Sequence, residues 1–237
     1  MKATLIKKVD EARATKSFVF ETEKEVSYDP GQYFYFTLPK LDYPDPRGET
    51  RHFTISYSPT EGKNLQITTR IREESGFKKT LDSLPIGTPV EVEGPTGTFI
   101  LDESEPGPHV FIAGGIGITP FRSFIKYVID KQSLAGSAGK GLKTQIHLIY
   151  SNSDSDFTFK KELEDWDREN ENIKVDFIDS SKIGHLDEAM IKRLISDITL
   201  PTYWVVGPPL MVDAVEKILE TMKISGNKIR AEKFTGY

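Results

Sequence analysis

Apolar and polar positions alternate over short stretches in the first hundred residues and recur at longer, helical intervals afterwards. Residues 15–21, 33–38, 52–57, 66–72 and 89–93 are rich in β-branched and aromatic side chains and are bounded by Gly, Pro or Asp. That pattern predicts strands of an antiparallel sheet or barrel. Residues 78–84 carry the helical stretch of this half. Pro106-Gly107-Pro108 then breaks the chain, and the rhythm changes. Strand-like runs at 110–113, 145–150, 173–178 and 203–206 alternate with helical spacing at 120–131, 159–168, 186–194 and 210–223, and 229–234 reads as a last strand. Strand and helix in alternation imply a parallel, doubly wound sheet. The boundary between the halves falls at 102–108, and 133–141 reads as a flexible surface loop.

The stretch Ala113-Gly-Gly-Ile-Gly-Ile-Thr-Pro-Phe121 follows the first strand of the second half. Glycines at such a corner let backbone N–H groups approach a bound phosphate. Thr119 suits a helix N-cap and Pro120 the first helical position, where its missing N–H costs nothing. The spacing Gly115-x-Gly117-x-x-Pro120 lacks the third glycine of the dinucleotide fingerprint, so a plain glycine turn stays open as a reading. A second corner, Gly207-Pro208-Pro209, follows a later strand. Two corners at carboxyl ends of strands in one sheet favour a ligand crevice.

In the first half, Arg51 and Phe53 share one face of a strand. An arginine there can hold a phosphate in two parallel hydrogen bonds, and an aromatic beside it can lie on a flat ring. An exposed arginine beside a core phenylalanine is the plainer alternative. Gly76, Lys78 and Lys79 stand at the start of the short helix, as a second anion site or a solvated lysine pair.

Pro30-Gly-Gln-Tyr33, Arg51-His-Phe-Thr-Ile-Ser56, Ile67-Thr-Thr-Arg70, Gly76-Phe-Lys-Lys-Thr80, Gly94-Pro-Thr-Gly97, the two glycine corners and Glu232-Lys-Phe234 follow one another in an order that resembles the ferredoxin–NADP reductase family of flavoproteins. The resemblance covers nearly the whole chain. It implies a Greek-key flavin-binding β-barrel over 1–103 and a nicotinamide-nucleotide-binding α/β domain over 108–237. It implies that Arg51 holds the flavin's phosphate, with His52, Phe53 and Thr54 beside the ring, Phe53 packed on it and Thr54 bonded near N5. Thr68, Arg70, Gly76, Lys78 and Thr80 would help with the pyrophosphate. Gly115, Gly117 and Thr119 would face the nicotinamide nucleotide's pyrophosphate, with Gly207, Pro208 and Met211 near its nicotinamide ribose. Thr54, Glu232, Phe234 and Tyr237 would surround the reacting centre. Phe234 matches the aromatic that covers the flavin, and Tyr237 is its rival. Val206 stands where many members carry a cysteine.

The resemblance implies an FAD-dependent NAD(P)H oxidoreductase. It would pass a hydride to FAD N5 and electrons to an external acceptor: a ferredoxin-like carrier, a quinone or another small molecule. A flavin-bound, non-catalytic electron-transfer or sensor subunit is the alternative. FAD is favoured over FMN because Arg51 and the Lys78 region offer two anion sites. NADH is favoured over NADPH because 150–157 holds no basic residue, while Asp154 and Asp156 would repel a 2′-phosphate.

Composition narrows the field. The net charge of −5 gives no reason to expect nucleic acid or an anionic membrane as partner. No run approaches the roughly 20 apolar residues of a membrane span, and Met1-Lys-Ala-Thr-Leu-Ile-Lys-Lys8 is no signal peptide. A cytoplasmic location is expected. The chain has no cysteine, which excludes disulfides, thiol catalysis and cysteine-held clusters within it; no metal is expected.

Overall fold

A computed structural model describes residues 1–105, 107–134 and 144–235, with Leu134 by its backbone alone. Most of the loop expected at 133–141 lies outside the described residues, as does Tyr237. The chain divides into two compact units. One is Met1–Leu101 with Arg122–Tyr127, and the other is Asp102–Phe121 with Val128–Tyr237.

The first unit holds strands β1 (Lys2–Ala12), β2 (Thr15–Thr22), β3 (Tyr33–Thr37), β4 (Thr50–Thr54), β5 (Asn64–Arg70) and β6 (Pro89–Thr96), with helix α1 (Gly76–Ser83) between β5 and β6. The strands form one antiparallel sheet in the order β4-β3-β6-β1-β2-β5. A bridge between Ile55 and Ile67 joins its two edges, so the sheet closes into a barrel. The last strand, β6, inserts between β1 and β3, which makes the connection a Greek key. Leu5, Phe18, Phe20, Phe34, Phe36, Ile67 and Val92 fill the interior.

β1 is the strand that alternation did not reveal. Only Ala3 and Leu5 are buried in it, and its second half is written in Lys and Asp. It is held by its neighbours on both sides, β2 and β6, rather than by an apolar face.

The second unit holds β7 (His109–Gly114), α2 (Ile118–Leu134, of which Arg122–Tyr127 counts with the barrel), β8 (Ile146–Asn152), α3 (Lys160–Glu169), β9 (Ile173–Asp179), α4 (Ser180–Ile183), α5 (Glu188–Leu194), β10 (Thr202–Gly207), α6 (Pro209–Thr221) and β11 (Ile229–Lys233). All five strands run parallel in the order β11-β10-β7-β8-β9. The chain winds outward from β7 to β9, then returns to the other side of β7 as β10 and β11. The winding therefore reverses between β7 and β10, where ligands bind in open α/β sheets. Among the described residues, no helix is long and apolar enough to cross a membrane.

The glycine corner differs in detail from expectation. Gly115–Gly117 form a single 3₁₀ turn, and α2 begins at Ile118. Thr119 is inside the helix, and its hydroxyl donates to the Ile116 carbonyl instead of accepting from an N–H. Pro120 is the third helical residue and still within the first turn, whose amides have no intrahelical partner, so it opens the helix without loss.

Candidate functional site

In the barrel unit, β4 turns Arg51 and Phe53 inward and Thr50 and His52 outward. Phe53 is 3% exposed and packs with Phe36 and Phe77 in the core. The aromatic faces left at the surface belong to Tyr33, Tyr35 and His52, whose ring centroids lie 5.1–5.8 Å apart. Thr54 ends β4 and is buried. Thr68 is buried on β5 and shares hydrogen bonds with Ser17 (2.8 Å) and Ser56 (2.9 Å), so its hydroxyl belongs to a polar chain within the unit. Arg70 ends β5 opposite Thr15.

Arg51, Gly76 and Lys78 come together at the first turn of α1. The Arg51 guanidinium lies 5.2 Å from the centre of the Phe77 ring. It donates to the carbonyls of Arg47, Gly48 and Thr50 and pairs with Asp45. Asp45 was not among the expected residues, yet it organises this corner. Its carboxylate also accepts from the Arg47 amide (3.0 Å), the Phe77 amide (3.0 Å) and the Ser75 hydroxyl (3.3 Å). Burial opposes its charge, but those amides and the Arg51 guanidinium outweigh that and hold its pKa below the usual carboxylate value. Thr80 has its hydroxyl oxygen engaged by the Asp42 and Tyr43 amides, which fastens the loop after β3 to the helix.

Four cations surround this turn. Burial first, then the positive charges of Arg72, Arg47 and Arg51, push the Lys78 ammonium down to about 8, with Glu74 pulling the other way. Two buried cations at the first turn of a helix suit an anionic group. The residues fit a diphosphate.

A second cluster in this unit was also missed. Arg122 forms a two-point pair with Glu61 and donates to the Ser56 carbonyl (2.9 Å), with its guanidinium 5.1 Å from the centre of the Tyr57 ring. Ser58 and Glu61 form a capping box around the turn Pro59–Glu61. The Ser58-x-x-Glu61 spacing was a readable signature of it; the partner, 61 residues away, was not.

In the nucleotide unit the corner after β7 meets the corner after β10. A Cβ on Gly117 would lie 2.3 Å from the Val206 carbonyl oxygen, and one on Gly114 would lie 2.2 Å from Met211 Sδ. The backbone contact admits only glycine at 117, and a side chain at 114 would have to displace the flexible Met211 side chain. Gly115 has a φ of +52°, in the left-handed region. Gly207 lies at the end of β10 beneath Met211, and Pro208 precedes α6 and accepts from the Met211 amide. The unit thus brings Gly115, Gly117, Thr119, Gly207, Pro208 and Met211 to the reversal between β7 and β10. Bare backbone amides at such a crevice fit the phosphates of a dinucleotide.

On β11, Glu232 pairs with Val206 of β10. Its Oε2 is buried with no hydrogen-bond partner, and burial pushes the carboxyl up to about 7. The Phe234 amide donates to the Gly207 carbonyl (2.9 Å) and its ring is buried, whereas Tyr237 lies outside the described residues. In the loop after β8, the Asp154 carboxylate accepts from the Asn152 side chain (2.9 Å) and the Asp156 amide (3.0 Å). α3 begins at Lys160 after Phe159 at φ 62°, with no side-chain cap, so neither aspartate caps it.

Comparisons with known proteins agree with this division. Residues 2–101 match the family model of the oxidoreductase FAD-binding domain, and residues 111–217 that of the oxidoreductase NAD-binding domain. The anthranilate 1,2-dioxygenase electron transfer component of Acinetobacter baylyi is 26% identical over 220 residues, covering 89% of this chain and 59% of that protein. NADH-cytochrome b5 reductase 1 of Aspergillus oryzae is 26% identical over 233 residues, covering 87% of this chain and 78% of that protein. The chain spans 58–59% of the length of the first curated relatives it matches. The structure of ferredoxin–NADP+ reductase from Plasmodium falciparum with 2′P-AMP superposes with a TM-score of 0.80 at 19% identity, over 98% of this chain and 95% of that one, a likeness of fold.

Proposed function

Because the chain belongs to the ferredoxin–NADP reductase family of oxidoreductases, carrying its FAD-binding and NAD-binding domains in order, we propose that it passes electrons from a reduced nicotinamide nucleotide, through bound FAD, to an external redox protein. The observation that carries this reading is a pair of buried cations, Arg51 and Lys78, at the first turn of α1. When bound, the flavin supplies the exchange between a two-electron donor and one- or two-electron acceptors.

The chain's own residues bind, orient and hold a proton. Arg51 and Lys78 neutralise phosphate charge; Gly114, Gly117 and Gly207 let the two corners pack closely, and Gly115, which has nothing nearer its Cβ position than Asn152 Oδ1 at 3.8 Å, lets the backbone approach the dinucleotide. Glu232 is a buried carboxyl whose proton affinity burial raises to about 7, so it can hold a proton on the acid side of neutrality. Thr54 supplies a hydroxyl at the end of β4.

NADH is the donor this reading favours over NADPH. The loop after β8 offers a fixed carboxylate, Asp154, and no cation over 150–157. NADH is also the donor named for the Aspergillus relative. A protein acceptor is the choice supported by the relative named as the electron transfer component of a dioxygenase.

The test is the purified chain with NADH and an artificial one-electron dye. A yellow protein that releases FAD and reduces the dye with NADH is the expected result. Bound flavin with no NADH-dependent reduction would make the chain a non-catalytic electron-transfer subunit, and a colourless chain that takes up no FAD would overturn the reading.

A further inference from the structure

The loop between β3 and β4 folds down over the first turn of α1 and delivers a carboxylate to it. Asp45 takes the Phe77 amide, the Ser75 hydroxyl and the Arg51 guanidinium. An amide of a helix's first turn, an N-cap hydroxyl and a guanidinium are the donors a phosphate group seeks. The fit of the loop is close. A Cβ on Gly76 would lie 2.2 Å from the Pro44 carbonyl oxygen, and the Thr80 hydroxyl ties down the Asp42 and Tyr43 amides. A second anion arriving at this turn meets a largely covered like charge and finds its donors already engaged.

We infer that Asp45 is an internal competitor for the phosphate subsite of the barrel: the cofactor's phosphate displaces the carboxylate and its loop, and the cost of that exchange sets how readily the chain takes up and releases flavin. The inference rests on the barrel being the FAD-binding domain in function, and adds to that reading a residue that governs cofactor retention. It distinguishes two roles for one ion pair. As a fixed strut, Asp45 would aim Arg51 at the phosphate, and its loss would weaken binding. As a competitor, it holds the place of the phosphate, and its loss tightens binding.

The experiment compares full-length wild type with Asp45→Asn, which keeps the shape and removes the charge. Each is stripped of flavin and titrated with FAD by fluorescence. The variant is expected to bind about tenfold or more tightly, the weight of one charge-assisted hydrogen bond no longer contested. A measurement on wild type alone guards against a variant that does not fold. The Arg47 amide, which donates to Asp45, is expected to exchange its hydrogen faster with FAD bound than in wild type stripped of flavin. Equal or weaker FAD binding by Asp45→Asn, or an Arg47 amide at least as protected with FAD as without it, overturns the inference and leaves the FAD reading standing. If neither chain takes up FAD, the functional reading falls and this inference with it.

Discussion

Glu232 faces Val206 across the parallel ladder of β10 and β11, and its Oε2 has no hydrogen-bond partner. An aliphatic neighbour cannot stabilise a carboxylate, so burial alone pushes the group up to about 7 from its ordinary 4.5. Below the unfolded value both states are protonated and the contribution to stability is whole. As pH rises from 4.5 toward 7, the unfolded chain gives up its proton first, and stability is lost until the folded carboxyl also ionises. Glu232→Gln is expected to gain on wild type across that window, by on the order of 1–3 kcal/mol at pH 8. The melting temperatures of the two should diverge by roughly 2–12 °C between pH 5 and pH 8. A constant difference over that range would show that Glu232 ionises like an exposed carboxyl.

Arg51 and Asp45 form a buried ion pair. On the proposed reading, Arg51→Ala removes a phosphate ligand and leaves Asp45 unopposed at the first turn of α1. The expected result is FAD binding weaker by roughly ten- to hundredfold. Adding Asp45→Asn to Arg51→Ala should restore a substantial part of the loss, which a cycle of the four proteins measures directly. Fluorescence of FAD released on dilution is the readout, and full retention in Arg51→Ala would remove Arg51 from the phosphate site.

The pair of Glu61 and Arg122 carries stability for the barrel unit. Both side chains are largely buried, and the carboxylate also accepts from the Ser58 amide (2.6 Å). Taking one partner from a buried pair leaves an uncompensated charge, worth about 3–5 kcal/mol. Arg122→Met is therefore expected to lower the melting temperature by roughly 10 °C. Arg122→Met with Glu61→Gln should recover at least half of that, since no naked carboxylate remains. Thermal unfolding of the single and double variants decides it; a double variant no better than the single would place the cost in lost packing under Tyr57 instead.

What could be read from the chain beforehand was what neighbours in sequence decide. The corner was legible because the Val206 backbone leaves no room for a side chain at Gly117 and Gly115 sits at a φ of +52°, and both constraints are written as glycine. The alternation of Phe18, Phe20, Phe34 and Phe36 wrote the barrel in the same way. β1 escaped because it buries so little of itself. Asp45 and Arg122 escaped for another reason. Each acts through partners brought close by folding, Phe77 to one and Glu61 to the other, and no local spacing records such a meeting. Thr119 shows the limit within a legible segment: the residue types at a helix start were right, but the 3₁₀ turn before α2 moved the boundary.

On the proposed reading, the loop after β8 selects the nicotinamide nucleotide. In a doubly wound sheet the adenosine ribose lies over the end of the strand that follows the glycine corner; here that strand is β8, ending at Asn152. NADPH adds a phosphate at this point, and a site that prefers it presents arginine or lysine. Asp154 is held in place by the Asn152 side chain and the Asp156 amide, which fixes a carboxylate in the loop that follows this strand. Lys160, the nearest basic residue along the chain, pairs with Glu164 (3.2 Å) and lies 5.9 Å from the centre of the Phe177 ring, so it is engaged on its own helix. The expected outcome is a catalytic efficiency with NADH at least tenfold that with NADPH, equal to about 1.4 kcal/mol of differential binding. Asp154→Ser should narrow the ratio by relieving repulsion, and more so at low ionic strength, where the charge is less screened. The measurement is the ratio of kcat/KM for the two nucleotides at matched ionic strength. A wild-type preference for NADPH, or a ratio untouched by Asp154→Ser, would show that the 2′ position is read by some other part of the unit.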